Sequence, residues 1–165
     1  MTSNTSGFRV RVFILFAAAV LLDQFTKWLA YTRLRGIYSV TLIPGVLKLQ
    51  YLENRGAAFG MLENRQWIFI IFACIIMGGC CFYGFRLPRR KKFIPMKLCL
   101  TLLSAGALGN MIDRIWHHYV IDFLYFSLIR FPVFNVADIY VCVSCGALLI
   151  LVLFFYKEED LQFRH

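Results

Sequence analysis

The chain has 165 residues, room for a single domain spanning 1–165. Hydrophobic residues make up 60% of it and charged residues 16%, where a soluble domain carries about 45–50% and about 25%; the apolar residues also come in blocks, which excludes an ordinary soluble globule. The net charge of +9 does not call for nucleic acid as a partner. Its densest part (Arg86, Arg89, Arg90, Lys91, Lys92 and Lys97) is wedged between two apolar runs, as in a short cytoplasmic loop in contact with anionic membrane lipids.

Four stretches predict membrane spans. The first, about 11–30, is hydrocarbon as far as Leu22 and then admits Asp23 and Lys27, four apart on one helix face and able to pair inside a bundle. The run outlasts any signal-peptide cleavage point near Ala17–Ala19, so an uncleaved helix is predicted. After it, Thr41-Leu42-Ile43, the Pro44-Gly45 turn and the alternation of Leu47, Leu49 and Tyr51 with Lys48 and Gln50 read as a small hairpin or sheet. The second span covers 67–85 without a charge. The third covers 93–112 and is interrupted only by Lys97, placed to snorkel. An aromatic-rich connection over 116–134 then reads as an interfacial loop, and 138–156 as the fourth span.

Cys74, Cys80, Cys81, Cys99, Cys142 and Cys145 all lie within these runs and read as small buried hydrophobes rather than as disulfides or metal ligands. Ten of the 18 Lys and Arg residues (Arg9, Arg11, the six of the basic loop, Lys157 and Arg164) fall on one side. Both termini are therefore expected in the cytoplasm and both longer loops outside it.

The chemistry concentrates at one depth. Asn110, Asp113 and Arg114 close the third span, Asn135 and Asp138 open the fourth, and Asp122 lies between them. Polar groups at a helix centre cost about 2.5–3.5 kcal/mol each on insertion scales. Two aspartates brought together hold one proton between them, so that one can activate water while the other polarises a carbonyl. Amide hydrolysis by such a pair needs no cofactor and no metal. Structural roles are equally open to these residues taken singly: Asn135 as a helix cap, Asp138 on the helix dipole, Asp113 and Arg114 as interface anchors.

The blocks Gly106-Ala107-Leu108-Gly109-Asn110-Met111-Ile112-Asp113-Arg114, Tyr119-Val120-Ile121-Asp122-Phe123 and Phe134-Asn135-Val136-Ala137-Asp138 resemble the signatures of lipoprotein signal peptidase (signal peptidase II). So do Asp23-Gln24-Phe25-Thr26-Lys27 and Glu53-Asn54-Arg55-Gly56-Ala57-Ala58-Phe59-Gly60. The five blocks follow the family's order over about residues 20–145. The resemblance implies a bacterial aspartyl endopeptidase of four transmembrane helices with an extracytoplasmic cradle, in the cytoplasmic (inner) membrane. Such an enzyme removes signal peptides from prolipoproteins just before a diacylglyceryl-modified cysteine and is the target of globomycin. It implies Asp122 and Asp138 as catalytic dyad, Asn54, Asn110, Arg114 and Asn135 as substrate-binding or orienting residues, and Asp23, Lys27 and Asp113 as structural polar residues. Two positions depart from the family's pattern. His118 stands where a glycine is common, and Ile139 where a small or hydroxyl residue is common. His117 and His118 read as polar anchors of the interface rather than as metal ligands. The alternative from another class is a small proton-coupled transporter using the same carboxylates; it predicts midplane charges or an internal repeat, and the sequence has neither.

Overall fold

A computed structural model describes residues 3–56, 65–88 and 90–161. Four helices are long and apolar enough to cross a bilayer, over Gly7–Leu34, Gln66–Arg86, Lys91–His117 and Val136–Phe155. In chain order the elements are α1 (Ser3–Leu34), β1 (Val40–Ile43), β2 (Leu47–Asn54), α2 (Gln66–Arg86), α3 (Ile94–His117), β3 (Val120–Phe126), α4 (Val136–Ile150) and a final turn α5 (Glu158–Leu161). A 3-10 turn at Lys91–Phe93 leads into α3, and a π-turn at Leu151–Phe155 ends α4. Of the readings above, Ala57, Ala58, Phe59, Gly60, Arg89 and Arg164 lie outside the described residues.

The bundle is inside-out relative to a soluble protein. Phe13, Phe85 and Phe154 are 69%, 76% and 82% exposed, while Asp23, Lys27 and Asp113 are 0%, 1% and 2% exposed. That inversion suits a hydrocarbon solvent, in which apolar side chains face out and polar groups must find each other within the bundle. It also corrects the reading of the cysteines. All six are free, but only Cys80 is buried, and Cys74, Cys81, Cys142 and Cys145 lie on the outer surface of the spans, where lipid serves an apolar thiol as well as a core does.

Helix α3 is central and packs against α1, α2 and α4. Its small residues permit this. A Cβ added at Gly106 would lie 2.6 Å from the Ala137 carbonyl oxygen, and one at Gly109 would lie 2.4 Å from Asp23 Oδ2. These two glycines let α4 and α1 close onto α3, as small residues do where helices approach within a membrane.

The strands form one antiparallel sheet in the order β1-β2-β3. This differs from the prediction for 116–134, because Val120–Phe126 is a strand rather than an interfacial loop, and Asp122 sits in its middle. The segment's aromatics masked the alternation: Tyr119, Ile121 and Phe123 pack with Ala30 and Leu34 at the end of α1, while Asp122 turns the other way. Helices α1 and α3 therefore continue past their predicted ends at 30 and 112, to Leu34 and His117, where they meet the sheet.

A register shift between Leu49 and Leu52 interrupts the pairing of β2 with β3. Before it, Leu47 and Leu49 oppose Phe126 and Leu124; after it, Leu52 and Asn54 oppose Asp122 and Val120. The bulge thus hands one face of β2 from odd to even residues and turns Asn54 toward Asp122.

At the opposite end of the bundle, Phe93 and Tyr156 stack at 5.1 Å, and the Tyr156 hydroxyl donates to the Lys92 carbonyl at 2.9 Å. Lys92 also pairs with Asp160 of α5. Lys97 reaches the Pro88 carbonyl at 3.0 Å and lies over the Phe8 ring, which is the snorkelling its place near the helix end predicted.

Gly109→Ala should lower the thermal midpoint in detergent by an overpacking cost of about 1–3 kcal/mol. Gly146→Ala, inside α4 and with an added Cβ that meets nothing within 4 Å, should hold or raise it through alanine's better helix propensity, so the pair of melting curves separates the clash from a general glycine effect.

Candidate active site

The first turn of α4 is made by local chemistry. Asn135 is its N-cap in extended conformation, its side-chain oxygen accepting from the Asp138 backbone N–H at 3.0 Å. Asp138 at the third helical position returns the favour through Oδ2, accepting from the Asn135 backbone N–H at 3.2 Å. This reciprocal capping box fixes the Asp138 carboxylate at the positive end of the helix dipole. The structural reading of Asn135 as a cap and the functional reading of Asp138 therefore describe the same turn.

The side-chain amide of Asn135 then crosses to the other carboxylate. Its Nδ2 donates to Asp122 Oδ1 at 2.6 Å and to Asn110 Oδ1 at 3.1 Å. Asn110 Nδ2 donates to Asp138 Oδ1 at 2.8 Å, and Asn54 Nδ2 to Asp122 Oδ2 at 2.8 Å. Asn54 is itself held by the Gly56 N–H at 3.1 Å. Five of the six predicted site residues are thus brought together, with Asn54, Asn110 and Asn135 linking the carboxylates of Asp122 and Asp138.

Asp122 is 1% exposed. Burial, reinforced by the charge of Asp138 and opposed by the bonds from Asn54 and Asn135, pushes its carboxyl up to about 7. Between its ordinary value of 3.8 and about 7 the folded protein holds this proton and the unfolded chain does not. The resulting stabilisation is full at acid pH and is lost as pH rises through that window.

Behind the Asp122–Asp138 pair lies a second polar layer. Lys27 pairs with Asp23 at 2.9 Å and with Asp113 at 3.1 Å, and donates to Asn110 Oδ1 at 2.9 Å. Asp23 Oδ1 accepts from the Ala137 N–H at 2.9 Å, next to Asp138. Asp113 Oδ2 accepts from the Ile121 N–H at 3.0 Å, next to Asp122. The predicted Asp23–Lys27 pair exists, and Asp113 completes it. Gln24 was quoted within its block but given no role. It donates to Gly109 O and Asp113 Oδ1, each at 3.1 Å, and to Asp23 Oδ2 at 3.2 Å. The signal that could have found it is the one used for its neighbours, a polar side chain at membrane depth.

Arg114 packs its guanidinium over Phe69 of α2 at 4.5 Å and donates to the Asn110 carbonyl at 3.2 Å. Its buried Nε has no hydrogen-bond partner among the described residues. His118 ends α3 in the left-handed region, at φ 62, and so starts β3 in the right direction. That conformation is natural for the family's glycine and is one that histidine tolerates better than most side chains.

Two outcomes follow. His118→Gly should hold or raise the thermal midpoint, by up to about 1 kcal/mol after glycine's extra chain entropy is subtracted, whereas His118→Val should lower it. The wild-type midpoint should also fall as pH rises from about 4 to about 7 by a component that Asp122→Asn lacks, measurable as melting curves of both proteins across that range.

A sequence model of the family Signal peptidase (SPase) II matches residues 15–155. A lipoprotein signal peptidase of Symbiobacterium thermophilum is 44% identical over 137 residues, covering 82% of this chain and 89% of the relative. One of Clostridioides difficile is 43% identical over 138 residues, covering 84% and 91%. A bacterial membrane enzyme solved by the in meso method superposes with a TM-score of 0.75 at 30% identity, covering 88% of this chain and 94% of that one. A second gives 0.76 at 28%, covering 94% and 92%. The transporter alternative finds no support in these likenesses, and the chain belongs to the signal peptidase II family.

Proposed function

We propose that this chain is an aspartic endopeptidase that removes signal peptides from prolipoproteins, with Asp122 and Asp138 as its dyad. The observation that carries the reading is the asparagine bridge: one amide, Asn135, bonds to Asp122 through its side chain and to Asp138 through its backbone N–H. Residues whose only task was to cap a helix would have no need of a second buried carboxylate.

The two carboxyls are unequal. Asp122, its carboxyl raised to about 7 by burial and by the neighbouring charge, holds the proton the pair shares, and Asp138 takes the role of base. Water adds to the scissile carbonyl carbon as Asp138 takes its proton and Asp122 donates one to the carbonyl oxygen. As the tetrahedral intermediate collapses, the proton on Asp138 passes to the departing amine and the C–N bond breaks. A hydroxyl proton returns to Asp122 as the new carboxyl forms, so the cycle ends with the dyad as it began. Asn54, Asn110 and Asn135 orient the carboxylates. Arg114, which donates to the Asn110 carbonyl, lines the site with them.

The finer parts of the reading rest on the family and on charge distribution. The substrate carries a diacylglyceryl-modified cysteine and enters sideways from membrane lipid. The termini face the cytoplasm of a bacterial cell and the dyad lies near the extracytoplasmic face of the inner membrane, as the bias of Lys and Arg supports. Cyclic peptides of the globomycin type would compete for the same cleft.

Cleavage of a purified diacylglyceryl-modified prolipoprotein in detergent with EDTA tests the proposal. Asp122→Asn and Asp138→Asn should fold and each lose activity by at least about 10³-fold. Wild-type activity should decline above pH about 7 as Asp122 loses its proton. Either folded variant retaining near wild-type turnover would remove that aspartate from the mechanism.

A further inference from the structure

On the far side of the polar layer from the dyad, α1 and α3 leave a groove of about 470 Å³ between their sheet-proximal ends, lined among others by Trp28, Tyr31, Thr32, Trp116 and His117. That volume lies within the range of about 300–1,000 Å³ typical of small-molecule sites. None of the asparagines that hold the dyad lines it; its floor is the back of Lys27 and Asp113, together with Gln24. Trp28 is 57% exposed and Trp116 80% exposed, one indole on each wall. Their helices cross the membrane, and both residues lie toward the ends that meet the sheet, the level at which tryptophan prefers the headgroup boundary.

The outer end of the groove is cationic. Arg35, in the turn just after α1, lies over the Tyr31 ring at 4.9 Å and donates to its hydroxyl at 2.7 Å. Its ion pair with Glu53, at 3.5 Å and with the arginine side chain 53% exposed, is shared with Arg55 at 3.3 Å, so two guanidiniums meet one carboxylate and the cluster keeps a net positive charge. His117 is stacked between Tyr31 and Tyr119 and is exposed at the same rim. Apolar walls running toward the bilayer beneath a cationic rim complement one kind of occupant, a diacyl lipid with an anionic phosphate.

We propose that this groove holds a membrane glycerophospholipid, with its phosphate at Arg35 and its glycerol and upper acyl chain between Trp28 and Trp116. The site is separate from the cleavage site, since the Asp23–Lys27–Asp113 layer stands between them. An occupant here braces α1 against α3 from the side that the dyad does not use.

The test is lipid retention and rebinding by the full-length protein in detergent, read by native mass spectrometry with phosphatidylglycerol as the probe. Thr32→Trp fills the groove from an exposed position, and the Trp28→Leu/Trp116→Leu double variant removes its walls. Each should bind the probe at least about tenfold more weakly than wild type, as expected for loss of an aromatic anchor. Trp67→Leu, at a 58% exposed tryptophan on α2, should bind as wild type does. Arg35→Gln should weaken phosphatidylglycerol while leaving diacylglycerol, which lacks the phosphate, unaffected. Wild-type binding by Thr32→Trp, or an equal loss in Trp67→Leu, would overturn the site. Because the probe is not the peptidase substrate, a failure here leaves the dyad assignment standing.

Discussion

A buried ammonium organises this protein. Lys27 is 1% exposed, in a setting where an uncompensated charge costs several kcal/mol. It survives there because each of its three N–H bonds has an acceptor: Asp23, Asp113 and Asn110. Each acceptor passes the constraint on. Asp23 takes the Ala137 N–H at the start of α4, Asp113 takes the Ile121 N–H in β3, and Asn110 reaches both Asn135 and Asp138. One cation thereby ties together the helix and the strand that carry the two candidate catalytic carboxylates. Removing the cation would leave two buried carboxylates, Asp23 and Asp113, without their shared partner, so the layer depends on Lys27 as a unit.

That rigidity explains how two aspartates in one site come to differ. Asp138 belongs to a capping box at the start of α4. Asp122 lies in the middle of a strand, nearly sealed from water, with neutral amides as its direct partners among the described residues. Burial outweighs what those amides return, and its carboxyl rises. The asymmetry that acid–base hydrolysis needs is thus a consequence of secondary structure: one carboxylate opens a helix and the other interrupts a strand.

Much of this was legible in the sequence because membrane depth makes polar residues conspicuous. Asp23 and Lys27 could be paired from a four-residue spacing, and Asn110, Asp113, Arg114, Asn135 and Asp138 could be set at one level from where the apolar runs stop. The strand around Asp122 was not legible. Its alternating pattern is crowded with aromatics on both faces, and its pairing partner lies far away in the chain. Asn54 was reached only through the family likeness, since strict alternation along β2 puts Tyr51 and Glu53, not Asn54, on the face of Leu47 and Leu49. The bulge that moves Asn54 onto that face arises from cross-strand register, a property of two segments that neither displays alone.

His118 shows the converse, a departure from pattern that the backbone makes intelligible. The turn from α3 into β3 must reverse within a residue or two so that Asp113, on the last turns of α3, can reach the Ile121 N–H eight positions later. Only a left-handed residue makes that reversal in so short a span. Glycine does so without strain, while histidine adopts φ 62 at some cost, offset by the network on either side. The position is constrained by its conformation rather than by its side chain's chemistry. A histidine beside a candidate catalytic strand is therefore explained here without giving it a part in the reaction.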